Sequence, residues 1–380
     1  MPSEQRQWPR HLHYYASALL GTAVLPLLRH FDLPWRFDWL GLAHQYWVVL
    51  AERAIFIAIV LCLIGFPSNV WMPVFRSMLH EKLRLVVLLA FFGGLLWTFG
   101  WRHGVVLTID TVAILEFCHR RRWRAAADIL IPALYLFCGL LLVSAYNDII
   151  VSCRFFAACD AAFNSMDQYL LHGLTVSQIC HWAINTLPLW FFRLLEFVYF
   201  GLFTEIGAGL ILVAGAYGRK RGLQFVGTLL IAYYIALGLF YLWPSQGPYY
   251  LCSGHFARFP SMLETYASQK GSIAGAEERW HHLPLARIAF DYYIAFPCMH
   301  IVLPLIVMWF LRAWRRILLL LVVYNTMLLA AIVLLEWHYV VDILAGFIVA
   351  AAAIALCEGS ATTRGPAGST TGVAPAGGAF

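Results

Sequence analysis

Long runs of apolar side chains constrain the fold of this chain more than any other feature of its sequence. A membrane-spanning helix needs about 20 mostly apolar residues, and the runs found here predict an all-α polytopic membrane protein with about ten spans. Closed barrels also satisfy the backbone in lipid, but these runs are too long and too uniformly apolar for barrel strands. The candidate spans are 13–29, 53–67, 83–101, 103–118, 127–145, 197–217, 222–243, 297–312, 316–335 and 338–357. Residues 13–29 could instead be an uncleaved signal anchor, and residues 103–118, which carry Asp110 and Glu116, could be a partly inserted segment.

The composition excludes the main classes of soluble protein. Of the 380 residues, 62% are apolar and only 12% are Asp, Glu, Lys or Arg, and the mean hydropathy is +0.73. A soluble domain carries roughly 25% charged residues, so about half of the usual solvating surface is missing. A soluble enzyme, a nucleic-acid-binding protein and a disordered chain are therefore excluded.

Basic residues predict the orientation, because short cytoplasmic loops are enriched in Lys and Arg. Basic runs at 120–124, 219–221 and 312–316 fall on one side of the predicted spans. Both termini are then cytoplasmic, and the long segments 146–196 and 244–296 lie outside. The cysteines of these outer segments could form disulfides in three alternative pairings. They are Cys153, Cys159, Cys180 and Cys252.

The chain is predicted to divide into three regions. Residues 1–125 form an N-terminal transmembrane region, and residues 126–357 form the core. Residues 358–380 form a disordered tail, because they are rich in Gly, Ala, Ser, Thr and Pro and lack periodicity. Within the core, the stretch 174–192 indicates an interfacial or re-entrant amphipathic segment.

Two short polar clusters stand at the start of apolar runs. The first, FPCMH, ends in His300, and the second, EWHYVVD, contains His338 and Asp342. Ionisable residues are costly within a membrane, so these are candidate functional residues. His338 and Asp342 are four residues apart and are predicted to be neighbours on one helix face. The carboxylate can then fix the imidazole tautomer and leave the other ring nitrogen free to attack.

The separation of His300 and His338 along the chain predicts that they meet in space. Their 38-residue spacing fits one helix, a turn at 312–316 and one helix back. Two traverses of about 19 residues return the chain to the same membrane face. Both imidazoles are therefore predicted to lie near the outer surface on adjacent antiparallel helices, where they can converge on one phosphorus atom.

The combination of F-P-x-x-H, the hairpin spacing and H-Y-x-x-D-x-x-x-G resembles the type 2 phosphatidic acid phosphatase superfamily. The signatures of that superfamily are K-x-x-x-x-x-x-R-P, P-S-G-H and S-R-x-x-x-x-x-H-x-x-x-D. Residues 297–300 match the second signature, and His338 and Asp342 match the third. The resemblance covers about residues 127–357 and implies a six-helix phosphatidic acid phosphatase-like catalytic core with additional N-terminal transmembrane helices.

The chain departs from the superfamily pattern at several positions. Cys298 and Met299 replace the Ser and Gly of the second signature, and Ala331 and Ile332 occupy the Ser and Arg positions of the third. The first signature is absent, and residues 241–248 (YLWPSQGP) stand in its place. This segment, followed by F-P-x-x-H and H-Y-x-x-D, is similar to the inositol phosphorylceramide synthase branch. The outer stretch FNSMDQYLLHGL is similar to that branch as well.

The resemblance also implies the role of each catalytic residue. His338 is expected to be the nucleophile that forms a phosphohistidine, and Asp342 is expected to orient it and stabilise its positive charge. His300 is expected to protonate the departing alkoxide and later to deprotonate the acceptor hydroxyl. No metal and no cofactor are expected.

Phosphoryl transfer also needs cationic or hydrogen-bond-donating groups around the phosphate oxygens. The usual Lys and Arg positions of the superfamily are not filled, so we expect residues of the outer face to bind the substrate. Arg287, thirteen residues before His300, is the first choice among them. The full candidate set is Arg193, Arg258, Arg287, Tyr241 and Gln246. Glu336, close to the nucleophile, has no assigned role.

Three functions are compatible with these residues. The first is a lipid phosphotransferase that moves a phospho-headgroup, by resemblance phosphoinositol, from a phospholipid donor to a lipid hydroxyl such as that of ceramide. The second is a lipid phosphatase acting on phosphatidate-like or polyprenyl diphosphate substrates. The third is a non-catalytic lipid-binding or transport protein. The expected location is a plasma (inner) or Golgi-type membrane, with the site on the extracytoplasmic or lumenal face and no nucleic-acid partner.

Overall fold

The computed structural model describes residues 8–30, 128–147, 149–150, 158–251, 263, 265–266, 269–270 and 295–358. Within these residues all regular secondary structure is helical, which confirms the predicted all-α class. In chain order the helices are α1 (Trp8–His30), α2 (Asp128–Asn147), α3 (Asp160–Leu170), α4 (Val176–Thr186), α5 (Leu189–Phe200), α6 (Leu202–Tyr217), α7 (Arg219–Leu242), α8 (Pro248–Leu251), α9 (Met299–Leu311), α10 (Arg315–Leu334) and α11 (Val340–Glu358).

Four of these helices are long and apolar enough to cross a membrane, namely α2, α7, α10 and the Val340–Cys357 part of α11. Helices α5 and α6 pass the same test together and are bent by 43°, so they add a fifth span if they form one broken span. The chain is therefore an integral membrane protein. The predicted spans 53–67, 83–101 and 103–118 lie outside the described residues. The total of about ten spans and the cytoplasmic placement of both termini stay predictions.

Helix α9 is central to the described core, where it contacts α6, α7, α10 and α11. Its sequence, MHIVLPLIVMWFL, is almost wholly apolar, and most of its side chains are buried, including Val302, Ile306 and Val307. A helix that is apolar all round is stabilised by packing on every side, as in a protein core. Its first turn, which carries His300, is therefore held in place by several neighbouring helices.

A polar cluster joins α10 to the bend between α5 and α6. The Tyr324 hydroxyl donates a hydrogen bond to the Val198 carbonyl at 2.7 Å, and Nδ2 of Asn325 donates one to Oε1 of Glu205 at 2.8 Å. Gly201 stands at the bend, and a Cβ there would clash with the Tyr324 hydroxyl. Hydrogen bonds between helices are a usual means of association within membranes. The hydrogen bonds of Tyr324 and Asn325 hold this bend, which lies within the run 197–217 that the sequence predicts as one uninterrupted span.

The stretch 174–192 forms α4 and the start of α5. Helix α4 begins with a capping box, in which the Thr175 hydroxyl accepts a hydrogen bond from the Gln178 N–H and the Gln178 side chain accepts one from the Thr175 N–H. Trp182 and Trp190 are exposed. Exposed tryptophans of this kind are typical of a membrane interface. The interfacial placement of this segment stays a prediction.

Replacing Gly346 with alanine is expected to push α11 away from α9 and to destabilise the protein by about 1–3 kcal/mol. A Cβ at this position would lie 2.8 Å from the Cys298 carbonyl oxygen and 3.2 Å from the Ile301 Cβ. The same helices are joined by a hydrogen bond from the Cys298 N–H to the Asp342 carbonyl at 3.0 Å. Thermal unfolding in detergent measures the loss. Gly238→Ala on α7 is the control, because no described atom lies within 4 Å of its new Cβ. Equal melting temperatures for the two variants would contradict this prediction.

Candidate active site

His300 and His338 meet at one end of the helical core. His300 lies in the first turn of α9, and His338 lies in the short connection between α10 and α11. Nδ1 of His300 is 3.2 Å from Nε2 of His338, and the two residues are only 9% and 3% exposed. The hairpin formed by α9 and α10 thus brings the two imidazoles into direct contact, as their spacing in the sequence predicts.

The hydrogen-bond partners of the two rings indicate which nitrogens carry protons. Nδ1 of His338 lies 2.9 Å from the carbonyl oxygen of Ala295. A carbonyl only accepts hydrogen bonds, so this nitrogen carries the proton and Nε2 has a free lone pair. That lone pair accepts a hydrogen bond from the Nδ1–H of His300. His338 is therefore held as the tautomer in which Nε2 can act as a nucleophile.

The sequence predicts that His338 and Asp342 share one helix face. In the structure Asp342 does lie beside the histidine pair, but the two residues do not share a helix face. Helix α11 begins at Val340, so His338 precedes it. Oδ2 of Asp342 accepts a hydrogen bond from the Tyr339 N–H at 2.8 Å and lies 3.5 Å from Nδ1 of His338. An acidic side chain in the first turn satisfies N–H groups that have no partner in the helix. The carboxylate takes this role, and the carbonyl of Ala295 makes the shorter contact with the imidazole.

Stacked aromatic rings line one side of the histidine pair. The ring of Tyr199 stacks on His300 with centroids 4.4 Å apart and on Trp337 with centroids 5.1 Å apart. Tyr249 meets Trp337 edge-on at 5.3 Å. Gly247, at φ +107°, lets its loop approach the Trp337 carbonyl, which a Cβ would contact too closely. The sequence gives no sign of Tyr199, because it lies in a uniformly apolar run.

Asp160 on α3 holds the loop that follows α7. Its Oδ1 accepts hydrogen bonds from the Ser245 hydroxyl at 3.0 Å, the Gln246 N–H at 3.0 Å and the Gly247 N–H at 2.9 Å. The carbonyl of Ser245 in turn accepts a hydrogen bond from the Ala295 N–H at 3.1 Å. Asp160 is thus connected, through this loop, to the residue whose carbonyl orients the proposed nucleophilic ring.

Asp167 caps α11 from outside that helix. Its Oδ2 accepts a hydrogen bond from the Val340 N–H at 2.8 Å, and its Oδ1 accepts one from the Val341 N–H at 3.1 Å. A carboxylate at a helix N-terminus satisfies unpaired N–H groups and interacts favourably with the helix dipole. Asp160 and Asp167 are seven residues apart on α3, about two turns along one face. One face of α3 therefore positions two of the segments that form the site.

We expect the free energy of unfolding to fall more steeply as the pH rises above about 4 in the wild type than in an Asp160→Asn, Asp167→Asn double variant. Burial raises the pKa of both carboxyl groups, because it disfavours their charged form. The stability that these groups contribute is fully present below their unfolded pKa and is lost as the pH rises through their folded pKa. Melting temperatures in detergent across this pH range measure the effect. The same pH dependence in both proteins would contradict it.

Part of the segment 244–296 lies against the rim of the site. The Thr265 N–H donates a hydrogen bond to Oε1 of Glu196 at 2.6 Å, and Nε2 of Gln269 donates one to the Leu335 carbonyl at 2.6 Å. Thr265 and Gln269 are buried. These contacts bring the described part of the segment against α5 and the connection that carries His338.

The structure describes three of the five candidate substrate-binding residues, namely Arg193, Tyr241 and Gln246. Arg193 is exposed on α5, six residues before Tyr199 and therefore on a different side of that helix. Tyr241 is exposed in the last turn of α7, and Gln246 is half-buried in the loop held by Asp160. Arg258 and Arg287 lie outside the described residues. The group that binds the phosphate oxygens thus remains a prediction.

Glu336, to which the sequence assigns no role, is buried in the turn after α10. It adopts φ +57°, and its carbonyl accepts a hydrogen bond from the Tyr249 N–H at 3.2 Å. A left-handed conformation costs a non-glycine residue about 1–2 kcal/mol, so the surrounding contacts must hold it. Its backbone therefore helps to turn the chain from α10 toward His338.

The outer cysteines that the sequence identifies as disulfide candidates are only partly described. Cys159 and Cys180 are not joined to each other, and the Cys180 thiol donates a hydrogen bond to the Val333 carbonyl at 3.0 Å. Burial raises the pKa of the Cys180 thiol well above its ordinary value. Cys153 and Cys252 lie outside the described residues, so the pairings that include them stay open.

Cys298 extends the histidine pair to a set of three possible metal ligands. The ligand atoms of Cys298, His300 and His338 all lie within 4.8 Å of one another, and all three residues are buried. A thiol and two imidazoles are a donor set that suits zinc and similar cations. The site can therefore supply a nucleophilic nitrogen and a proton carrier, and it can also supply ligands to a soft cation.

Comparison with known families identifies a match to part of the chain. The sequence model of the PAP2 superfamily matches residues 173–356, just under half of the chain. The matched segment contains His300, His338 and Asp342, and it ends near the end of α11. No curated protein and no solved structure matches the chain. Residues 173–356 thus match the PAP2 superfamily, and this match supports a lipid phosphatase or phosphotransferase as the class of enzyme to which the site corresponds.

Proposed function

We propose that this protein is a lipid phosphotransferase that moves a phospho-headgroup from a phospholipid donor to the hydroxyl of an acceptor lipid. The similarity of residues 241–248 and of the H-Y-x-x-D segment to inositol phosphorylceramide synthases favours phosphoinositol as the headgroup and ceramide as the acceptor. The observation that carries the proposal is the 3.2 Å contact between His300 Nδ1 and His338 Nε2. A nucleophile and a proton carrier must both reach one phosphorus centre, and this contact places the two nitrogens at the same point of the structure.

In the first step, the lone pair on Nε2 of His338 attacks the donor phosphorus. A nitrogen–phosphorus bond forms, and the bond from phosphorus to the diacylglycerol oxygen breaks. His300, as the imidazolium when the donor is bound, gives one of its two ring protons to that oxygen and becomes a neutral imidazole, so diacylglycerol leaves as a neutral alcohol. The phosphorylated imidazole is positively charged. It is stabilised by the Ala295 carbonyl, 2.9 Å from Nδ1, and by the Asp342 carboxylate, 3.5 Å from Nδ1.

In the second step, the acceptor lipid takes the place of diacylglycerol. His300, now the neutral imidazole, removes the proton of the acceptor hydroxyl. The acceptor oxygen attacks phosphorus, the nitrogen–phosphorus bond breaks, and His338 regains its lone pair. The product is the acceptor lipid carrying the headgroup. Water in the same position would instead release the phosphorylated headgroup, which is the reaction of a hydrolase.

Substrate binding requires the two imidazoles to separate, because no group fits between nitrogens that are hydrogen-bonded to each other. In-line attack needs the nucleophile about 3 Å from phosphorus and the proton carrier about 3 Å from the leaving oxygen, so the nitrogens must move apart by about 3 Å. Nδ1 of His338 is held by the Ala295 carbonyl. We therefore assign the movement to His300, whose ring can slide over the face of Tyr199.

Burial of the histidine pair favours transfer over hydrolysis. His300 and His338 are at most 9% exposed, and the Tyr199 ring, which also stacks on Trp337, covers one side of His300. Excluding water protects a reactive intermediate from hydrolysis. An acceptor lipid can enter such a site from the bilayer, so the phosphohistidine persists until the acceptor arrives.

We assign the site to the extracytoplasmic or lumenal face of a plasma (inner) or Golgi-type membrane. The basic runs 219–221 and 312–316 stand at the ends of α7, α9 and α10 that are remote from His300 and His338. Clusters of Lys and Arg in short loops mark the cytoplasmic side. The histidine pair at the opposite ends of these helices then faces the other side.

Transfer between labelled lipids tests the proposal. Purified protein in detergent is incubated with phospholipids that carry a labelled headgroup, with and without ceramide or another hydroxyl lipid. We expect label in a new lipid only when an acceptor is present, and none in either case with His338→Ala. Release of free phosphate or of the phosphorylated headgroup at the same rate with and without acceptor, and without a labelled product lipid, would reject the transferase and identify a hydrolase.

A further inference from the structure

The thiol of Cys298 lies next to the histidine pair, although the proposed transfer reaction does not use it. Cys298 immediately precedes α9 and is fully buried. Its sulfur and one nitrogen of each of His300 and His338 lie within 4.8 Å of one another. A buried thiol and two imidazoles that converge in this way offer three ligands to one ion.

The spacing of the two nitrogens suits a tetrahedral zinc ion. Zinc–nitrogen bonds of about 2.0–2.1 Å separate two nitrogen ligands by roughly 3.3 Å. The observed distance from His300 Nδ1 to His338 Nε2 is 3.2 Å. A zinc–sulfur bond of about 2.3 Å would place the sulfur roughly 3.6 Å from each nitrogen. The Cys298 sulfur already lies within 4.8 Å of one nitrogen of each ring, so a small side-chain shift brings the thiolate into position.

His338 is already oriented as a metal ligand would be. Its Nδ1–H donates a hydrogen bond to the Ala295 carbonyl at 2.9 Å, which leaves the Nε2 lone pair directed at His300. Histidines that bind metals almost always donate their second ring N–H to a carbonyl or a carboxylate, and this contact fixes the tautomer and the ring orientation. The surroundings of the site therefore support metal binding as well as nucleophilic attack.

We propose that Cys298, His300 and His338 bind Zn²⁺ or another thiophilic divalent cation, and that this binding blocks lipid turnover. The Cys298 thiol releases its proton to solvent and binds as a thiolate. The proton of His300 moves from Nδ1 to Nε2, so that Nδ1 binds the ion, and no electron is transferred. The ion occupies the lone pair of His338 Nε2. The same lone pair attacks phosphorus in the proposed function. The proposed inhibition therefore rests on that function, whereas the proposed metal binding does not.

Titration of the purified full chain in detergent with Co²⁺ tests the binding. We expect a thiolate-to-cobalt charge-transfer band that saturates near one ion per chain and is displaced by Zn²⁺. Cys298→Ser should lose this band and bind Zn²⁺ at least about tenfold more weakly. Cys357→Ser, a buried thiol at the far end of α11, should retain both the band and the affinity. A band of wild-type intensity in Cys298→Ser would overturn the proposal.

X-ray absorption at the zinc edge tests the same site without any substitution. Zinc-loaded wild-type protein should show one sulfur at about 2.3 Å and nitrogen or oxygen neighbours at about 2.0–2.1 Å. A shell without sulfur would overturn the proposal. This measurement decides the outcome even if Cys298→Ser does not fold.

Inhibition is measured separately, as each protein's activity with zinc relative to its own activity in chelator. Wild type and Cys357→Ser should lose turnover at the zinc concentration that saturates binding, and chelator should restore it. Cys298→Ser should need at least about tenfold more zinc for the same inhibition. Metal binding without inhibition would refute the block. If the proposed transfer reaction is wrong, no lipid product forms, but the cobalt titration still gives its result.

Discussion

Replacing His338 with alanine should reduce lipid turnover by roughly 10⁴-fold or more, because a single nucleophile removed from a covalent mechanism costs nearly the whole chemical acceleration. Nε2 of this ring has a lone pair directed at the second imidazole, and Nδ1 donates a hydrogen bond to the Ala295 carbonyl. Alanine removes both nitrogens, and no other described side chain occupies the same position.

The covalent intermediate distinguishes this role from a structural one. Rapid quenching of the wild type with a donor lipid, followed by mass spectrometry of the peptides, should find His338 carrying a phosphoryl group. If the headgroup is transferred intact, the added mass includes the headgroup, whereas a phosphatase adds a bare phosphoryl group. His338→Ala should carry neither modification.

His181 provides a matched control for this substitution. It is exposed on α4, so His181→Ala removes an imidazole without touching the buried pair, and it should leave turnover within about twofold of the wild type. Modification of a different residue in the wild type, or turnover in His338→Ala above about 1% of the wild type, would contradict the nucleophilic role.

The sequence predicts the meeting of the two histidines because their spacing depends on simple geometry. Helix α9, the turn after it and α10 return the chain to the level at which it started, and the rise per residue of a helix fixes that distance. Apolar runs of sufficient length likewise predict most of the described spans. These predictions depend on length and hydrophobicity, which local sequence determines.

The immediate partner of His338 could not be predicted in the same way. The sequence indicates Asp342 as the orienting group, but the shorter contact to the ring is made by the backbone carbonyl of Ala295. Every residue has a carbonyl, so its use depends on how separate segments pack. The start of α11 at Val340 was also hard to predict, because helix boundaries depend on which groups satisfy the first N–H groups.

The spacing of Asp160 and Asp167 carries a structural signal of its own. Both are acidic residues in largely apolar surroundings, and their seven-residue spacing places them on one face of a helix. Burying a carboxylate is costly unless hydrogen bonds compensate, so such a pair indicates that nearby backbone N–H groups need acceptors. Which N–H groups these are, in the loop after α7 and at the start of α11, depends on tertiary contacts.

Replacing His300 with alanine should slow transfer from a phospholipid donor by about 10²- to 10⁴-fold, because the diacylglycerol alkoxide then leaves without a proton. The loss should be much smaller with an aryl phosphodiester donor, whose phenolate leaving group is stable without protonation. The measurement is the rate of His300→Ala relative to the wild type, determined once with the phospholipid donor and once with the aryl donor. His338→Ala should be equally inactive with both donors.

This comparison also separates proton transfer from positioning. His300 contacts His338 at 3.2 Å and stacks on Tyr199 at 4.4 Å, so its ring could act only by holding the nucleophile in place. A positioning role predicts the same loss with both donors, since the attack on phosphorus would be misdirected whatever group departs. A proton-donor role predicts a loss that follows the basicity of the leaving group. An equal loss of rate for the two donors would therefore contradict the role of His300 as a proton donor. A difference of about tenfold or more between the two losses would support that role.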